Sequence, residues 1–333
     1  MATEETLAQL VQHRLPMTFD PARLLDDLVA LRDYQLQPQP GPYHNGEWAG
    51  ISLHSAGGQP GAAPSFPSLK EYTFTSAIDS TPYFKEILSS LPFRLQVVRL
   101  LSLSPGGRIG EHFDFFANFQ FGLVRLHVPI VTHPNVEFLI EGERCRWREG
   151  EFWYGDFSKP HSVSNGSDVT RVHLVIDSEI NEPFLSMLPA AYVAEQAKKG
   201  ITLASPEHKV QEEELRRYEC RFDIPGTIMP FLVLGRLEDL IKGSSAQVVC
   251  VESRLLVLID GVERFFLRSL GEGRFGFVGL SDGCFLEFKV REDRVAGISF
   301  VIRGVQRDLV RARLGIAKGE PVAEQRVPLR VCE

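Results

Sequence analysis

Apolar residues recur at helical spacing in only a few places along the chain. In "MTFDPARLLDDLVALRD", Leu24, Leu25, Leu28 and Leu31 return at intervals of three and four. Asp20 is placed to cap this segment and Pro21 to open it, which predicts an amphipathic helix. "TPYFKEILSSLP" predicts a second, shorter helix capped by Ser80 or Thr81. Between them, residues 35–70 are rich in Pro and Gly around one strand, "EWAGISLHS". "SAGGQPGAAPSFPS" reads as a long loop.

From Arg94 the pattern changes. "RLQVVRLLSLSPG", "GEHFDFFANF", "LVRLHVPIVTHP", "VEFLIEGER", "RCRWREGEFWYGDF", "HSVSNGS" and "TRVHLVIDS" are short, β-rich and punctuated by Gly, Asn, Asp or Pro. That spacing predicts an all-β sandwich or barrel, not alternating βα units. "PFLSMLPAAYVAEQAKKG" and "SPEHKVQEEELRRYE" then read as helical, the second strongly charged. Near Asp223 a second β-rich stretch begins, its strands divided by turn pairs such as Asp260-Gly261 and Asp282-Gly283. The expected divisions are a first domain over 1–182 with its β core at about 94–178, a helical linker over 183–222, a small β domain over 223–315, and a tail over 316–333. Neither a strict repeat nor a low-complexity tract interrupts this plan.

Composition narrows the function classes. The 333 residues are 44% hydrophobic and 24% charged, enough apolar material for more than one core. A net charge of −7 gives no general reason to bind nucleic acid or an anionic membrane, although local cationic sites remain open. Cys145, Cys220, Cys250, Cys284 and Cys332 are scattered and odd in number, which fits free thiols in a reducing compartment. "MATEETLAQLVQHRLP" is too polar for a signal peptide, and no run of ~18 apolar residues occurs. A cytoplasmic protein is expected.

Candidate chemistry concentrates in the first β stretch. His112 and Asp114 stand two apart in a strand-like segment, and alternation puts such positions on one face. Antiparallel folding could bring His161 of "SKPHSVSN" beside them. Two neutral imidazoles and one carboxylate make the facial triad of non-haem Fe(II) oxygenases, which leaves coordination positions open. An HxD pair alone is weak, and a satisfied strand histidine is the plain alternative for His112. Arg171 follows His161 by ten residues inside the apolar "TRVHLVIDS", where a guanidinium needs an anionic partner. That partner is either an internal carboxylate or the carboxylate of a bound cosubstrate. Arg125 and His127 alternate on one face, as do Arg171 and His173, and Arg99 adds a further cation.

These segments carry a resemblance. "PGGRIGEHFD", "RLHVPIVTHPNVEFLIEGE" and "GEFWYGDFSKPHSVSNGSDVTRVHLVID" resemble the aspartyl/asparaginyl β-hydroxylase family of Fe(II)/2-oxoglutarate oxygenases. Upstream, "MTFDPARLLDDL" and "YHNGEWAGISLHS" resemble that family's leading helix and first strand, so the resemblance spans roughly residues 14–182. It implies a mainly β fold: a double-stranded β-helix (a cupin-like jelly roll) with N-terminal helices. It implies Fe(II), 2-oxoglutarate and O2 as cofactor and cosubstrates. His112, Asp114 and His161 would be the metal ligands, placing the chain nearer the full-triad branch that includes proline hydroxylases. Arg171 would hold the distal carboxylate of 2-oxoglutarate, and His127 would assist at its other carboxylate. Arg125 would face substrate or cosubstrate, and Arg99 stands where the family often has a basic residue. A small hydroxyl residue that often helps hold 2-oxoglutarate would fall at Leu101, not at the adjacent Ser102, a departure from the family pattern. The C-terminal stretch resembles, in fold only, the small β-barrel modules appended to serine hydrolases of the β-lactamase type, which assigns no activity.

Two readings follow. The first is a dioxygenase that hydroxylates an amino-acid side chain, with Asp or Asn in a peptide or natural-product precursor favoured by the apparent surplus of Arg99 and Arg125. Free-amino-acid hydroxylation, for instance of proline, is its alternative. The second is a non-oxidising metal-binding or regulatory protein on a cupin-like scaffold. The expected partner is a carboxylate-bearing peptide or amino acid, with a homodimer possible and neither nucleic acid nor membrane involved.

Overall fold

A computed structural model describes residues 9–39, 43–61, 65–233, 242–308 and 321–332. The chain divides into two compact units. One comprises Met1–Pro64, Tyr72–Phe119 and Leu123–Ile201, the other Ser65–Glu71, Gln120–Gly122 and Thr202–Glu333.

In the first unit, helix α1 (Pro21–Ala30) forms where Leu spacing predicts it, with the Asp20 carboxylate accepting from the Ala22 and Arg23 amides. Helix α2 (Pro82–Ser90) starts after Thr81, whose hydroxyl donates to the Ala77 carbonyl and caps nothing. The strands are β1 (Gln12–Thr18), β2 (Gln37–Pro38), β3 (Trp48–Ala56), β4 (Tyr72–Phe74), β5 (Leu95–Leu103) and β6 (Arg108–His112). They continue with β7 (Leu123–Val131), β8 (Val136–Ile140), β9 (Glu143–Arg144), β10 (Glu151–Gly155), β11 (His161–Asn165) and β12 (Arg171–Glu179). An eight-stranded sheet runs β1-β10-β7-β12-β5-β3-β2, with β4 on β3, and a four-stranded sheet runs β6-β11-β8-β9. Apart from the β8–β9 hairpin, the chain passes alternately between the two sheets from β5 to β12, so the unit is a jelly roll. Strands β5, β7 and β12 are buried almost throughout, which explains why they read as near-continuous apolar runs.

Between the sheets lies an apolar cluster that includes Phe138, Ile140, Trp147, Phe157 and Val163. Gly150 turns the chain into β10 with φ +76°, and a Cβ there would fall 2.2 Å from the Phe19 carbonyl oxygen. Gly150→Ala therefore meets both a left-handed backbone and a backbone clash. It should cost roughly 2 kcal/mol or more, read as a lower urea midpoint.

Helices α3 (Glu182–Leu185) and α4 (Ala190–Lys199) fall in the expected linker but belong to the first unit. Phe184 and Tyr192 anchor them: both are buried on Phe119, and the Tyr192 and Tyr154 hydroxyls hydrogen-bond at 2.9 Å. The charged segment "SPEHKVQEEELRRYE" is helical only at α5 (Glu212–Leu215) and a following 3-10 turn. It has no apolar stripe to bury, and charge alone does not sustain a helix.

In the second unit, α6 (Met229–Leu232) accompanies a closed barrel of eight sequential antiparallel strands. They are β13 (Cys220–Ile224), β14 (Ser244–Val251), β15 (Arg254–Ile259), β16 (Val262–Gly271), β17 (Arg274–Phe277), β18 (Cys284–Arg291), β19 (Arg294–Val305) and β20 (Val322–Cys332). The small β-barrel expected from the sequence is thus present, but its limits differ. The segment expected as a tail supplies β20, which closes the barrel by pairing with both β19 and β13. Leu329 is the one buried residue of β20, so alternation gives no signal there.

Candidate active site

His112 ends β6 and His161 begins β11, and the two are direct cross-strand partners. Their ring centroids lie 4.2 Å apart. Each ring is oriented the same way: Nδ1 of His112 donates to the Gly110 carbonyl and Nδ1 of His161 to the Lys159 carbonyl, both at 2.9 Å. Because each Nδ1 carries the proton, each Nε2 presents a lone pair, as metal-binding imidazoles require. Asp114 lies two residues beyond the end of β6, so strand alternation is not what places it. Its amide donates to the Phe157 carbonyl at 2.8 Å, which ties it to the turn leading into His161. One ligand atom from each of His112, Asp114 and His161 lies within 4.8 Å of the other two. Burial pushes His161 down to about 4, with His112 reinforcing it, so the imidazole is neutral at neutral pH. Burial opposes the Asp114 carboxylate, yet Arg125 and the two imidazoles outweigh it and hold the group below the usual carboxylate range. Two imidazoles that present Nε2 and an ionised carboxylate fit a divalent metal.

Arg125 and Arg99 differ from expectation. Arg125 on β7 faces Asp177 on β12, its direct cross-strand partner. Its Nε donates to Asp177 Oδ1 at 2.7 Å and its Nη2 to Oδ2 at 3.0 Å, while its Nη1 donates to Asp114. Arg99 donates to the same Asp177 at 3.4 Å and to Gln39 Oε1 at 3.2 Å. Asp177 is fully buried. Two arginines are thus met by two carboxylates inside the protein, and neither is a surplus cation for a substrate. For these two the internal salt bridge prevails, because Asp177 stands opposite Arg125 in register and two positions along β12 from Val175, the partner of Arg99. Asp177 was the residue sequence reasoning passed over. The signal was present: "RVHLVID" puts Arg171, His173 and Asp177 on one face of an otherwise apolar strand.

Arg171 has no such partner. It is 3% exposed, and among the described residues no carboxylate pairs with it. Its Nη2 donates to His173 Nδ1 at 2.9 Å, its Nε has no acceptor, and its guanidinium carbon lies 5.4 Å from the Phe138 ring centroid. Burial lowers its pKa to about 9, which leaves it protonated at neutral pH. An uncompensated buried cation is costly and suits a ligand that brings the negative charge.

The same bond fixes two tautomers. His173 Nδ1 accepts from Arg171, so it bears no proton. His127 Nδ1, 3.2 Å from it, must then be the donor. His127 Nε2 is left as a buried acceptor without a partner. In this tautomer His127 Nε2 offers a lone pair rather than a proton. Burial lowers His127 and His173 well below the ordinary 6.5, with Arg171 adding to the effect. The unfolded chain, whose imidazoles titrate near 6.5, takes up protons in acid that the folded protein refuses. Stability of the metal-free protein should therefore fall as pH drops below 6.5. Urea midpoints across that range check the sign, and His173→Gln should flatten the slope.

Residues 22–180 match the family profile of aspartyl/asparaginyl β-hydroxylases. This segment is similar to that family. The matched segment contains all seven expected site residues and ends one residue beyond β12. Two curated proteins are similar to the chain. L-proline cis-3-hydroxylase 2 from Streptomyces sp is 27% identical over 177 residues, covering 50% of this chain and 59% of that protein. L-proline cis-4-hydroxylase from Rhizobium meliloti (strain 1021) is 27% identical over 168 residues, covering 48% and 58%. The chain therefore spans less than two thirds of the length of either relative. Among solved structures, a 2OG-Fe(II) oxygenase-family oxidoreductase from Burkholderia pseudomallei is 12% identical, with 53% of this chain and 88% of that one covered and a TM-score of 0.37. A prolyl-4-hydroxylase from Pseudomonas putida is 14% identical, with 54% and 97% covered and a TM-score of 0.33. Among the described residues, no helix is long and apolar enough to cross a membrane.

Proposed function

We propose that the protein is an Fe(II)/2-oxoglutarate-dependent dioxygenase that hydroxylates an amino-acid side chain. One observation carries the reading. A His112, Asp114 and His161 cluster shares a jelly roll with a buried arginine, Arg171, that has no carboxylate partner among the described residues. His112 Nε2, His161 Nε2 and an Asp114 oxygen would hold the metal on one face. Arg171 would take the distal carboxylate of 2-oxoglutarate. Bound iron and 2-oxoglutarate, with O2, supply the oxidising chemistry. Arg125, braced by Asp177, holds the Asp114 carboxylate in place. Phe138, Phe157 and Trp147 keep water from the space between the sheets.

Within this class, a free cyclic amino acid related to proline is the favoured substrate. Both curated relatives carry proline-hydroxylase names, and Asp177 removes the cation surplus that argued for an acidic peptide. Hydroxylation of Asp or Asn in a peptide is the second reading, supported by the family description. The test supplies Fe(II), 2-oxoglutarate and O2 together with L-proline, related imino acids, or Asp- and Asn-containing peptides. The reading expects succinate coupled to a product heavier by one oxygen atom with the imino acids. Coupled product only with peptides would favour the second reading, and no succinate with any substrate would sink both.

A further inference from the structure

Arg171 and His173 line a cavity of about 390 Å³ to which none of His112, Asp114 and His161 contributes. Its other lining residues fall within 132–138 and 144–149. Strand-like alternation in "RCRWRE" shapes the second stretch: Cys145 and Trp147 are buried, while Arg144, Arg146 and Arg148 are exposed. The wall is rich in hydrogen-bond donors and poor in acceptors. Arg171 Nη2 donates to His173 Nδ1, and no other hydrogen bond from this guanidinium occurs among the described residues. Burial keeps the His173 ring neutral, so its one hydrogen is on Nε2. His133 Nδ1 accepts from the Asn135 amide at 3.1 Å, which puts that ring's hydrogen on Nε2 as well. Among the described residues neither Nε2 meets an acceptor, and neither Arg146 nor Arg148 forms an ion pair. The acceptors present are already used. Arg144 Nη2 takes the Pro134 and Val136 carbonyls, and Glu149, the single acid in the lining, accepts from the Thr132 amide. In a chain of net charge −7 this is a local concentration of positive charge around a buried, unpaired guanidinium. An anion supplies both the charge and the lone pairs that such a wall lacks.

We propose that this cavity is a second anion site, that it takes a small organic polyanion bearing carboxylate or phosphate groups, and that its occupant competes with 2-oxoglutarate for Arg171. The competition rests on the reading above, in which Arg171 takes the distal carboxylate of 2-oxoglutarate; the site itself does not. The two ligands differ in what else they touch. 2-Oxoglutarate would join Arg171 to the metal, whereas the cavity occupant would meet Arg171, His173, His133, Arg146 and Arg148 and no metal ligand. Guanidinium forks suit carboxylate and phosphate alike. A single negative charge would satisfy Arg171 and leave Arg146 and Arg148 unmet, so more than one charge is favoured. The cavity is of the size that small-molecule sites occupy, ~300–1,000 Å³. An anion already paired with Arg171 weakens its attraction for another, and by linkage each ligand lowers the affinity of the other by the same factor.

Calorimetric titration of the full-length, metal-free protein tests the site, with tricarballylate and glycerol 2-phosphate as separate probes. Without metal, chelation by a probe contributes nothing. Wild type should bind at least one probe saturably, at one site per chain, and the tighter of the two tells carboxylate from phosphate recognition. Arg146→Gln/Arg148→Gln should weaken that binding about tenfold at low salt. Arg264→Gln/Arg291→Gln removes the same net charge from exposed positions on the barrel and should leave it unchanged. On anaerobic Fe(II)-loaded protein the bound probe should raise the apparent Kd of 2-oxoglutarate in step with its own saturation. The Arg146/Arg148 variant should bind 2-oxoglutarate as wild type does and need about ten times more probe for the same effect. No saturable binding of either probe, no loss in the Arg146/Arg148 variant, equal loss in both double variants, or a 2-oxoglutarate affinity indifferent to bound probe would overturn the proposal. Probe binding as expected in a protein that does not bind 2-oxoglutarate would instead overturn the functional reading, and the competition with it, while leaving the anion site standing.

Discussion

Arg171→Met should make the metal-free protein more stable and abolish its response to 2-oxoglutarate. The two effects have one cause. Among the described residues Arg171 has no carboxylate partner and its Nε no acceptor, and burial already pulls its pKa down to about 9. Replacing an unpaired buried cation with an apolar side chain of similar length removes a desolvation cost, and a gain of ~1–3 kcal/mol is expected. Loss of a buried charged contact to the ligand should weaken 2-oxoglutarate binding by ~2–5 kcal/mol, or about 30-fold to several thousand-fold. In wild type, saturating 2-oxoglutarate with metal should raise the melting temperature by mass action, and the variant should lose that shift. A structural arginine would behave the other way, with its removal costing stability. Thermal melts of both proteins, with and without ligand, therefore separate a ligand-binding role from a packing role.

Asp177→Asn should be the most damaging isosteric change in the first unit. Asp177 is fully buried and accepts from both Arg125 and Arg99. Removing its charge takes away the carboxylate that Arg125 and Arg99 share, and breaking a buried pair in this way costs ~3–5 kcal/mol. At ~2–4 °C per kcal/mol for a unit of this size, the melting temperature should fall by roughly 10 °C. Metal affinity should fall as well, because Arg125 loses the partner that braces it against Asp114. Arg99→Gln added to Asp177→Asn should recover part of the stability and little of the metal affinity, since it is Arg125 that donates to Asp114. A double-mutant cycle reads that coupling directly.

Much of this site is legible in the chain itself, and the parts that are not have physical reasons. His112 and His161 can be picked out because imidazoles in apolar strands need a purpose, and β6 and β11 do bring them face to face. Asp114 is found two residues from His112 by a rule that does not apply, since its strand has already ended and a backbone bond to Phe157 holds it. Arg99, Arg125 and Arg171 look alike in sequence, each a cation in an apolar run. Only the registers of β7 and β5 against β12 reveal that Asp177 meets Arg125 and Arg99 and leaves the third. Pairing register is a long-range property that local pattern does not carry. The same limit hides β20, where a mostly polar segment is recruited by backbone hydrogen bonds to close a barrel. Helix α1, with its cap, its leading proline and its leucine stripe all local, is read correctly at once.

The central claim is that His112, Asp114 and His161 hold a metal that, together with Arg171, binds 2-oxoglutarate. Anaerobic calorimetric titration tests it most directly, first with Fe(II) and then with 2-oxoglutarate, on wild type, His161→Ala and Arg171→Met. The account predicts one metal per chain in wild type and in Arg171→Met, and none retained in His161→Ala. It predicts metal-dependent 2-oxoglutarate binding in wild type alone. Metal binding that survives His161→Ala unchanged, or 2-oxoglutarate binding that survives Arg171→Met, would contradict it.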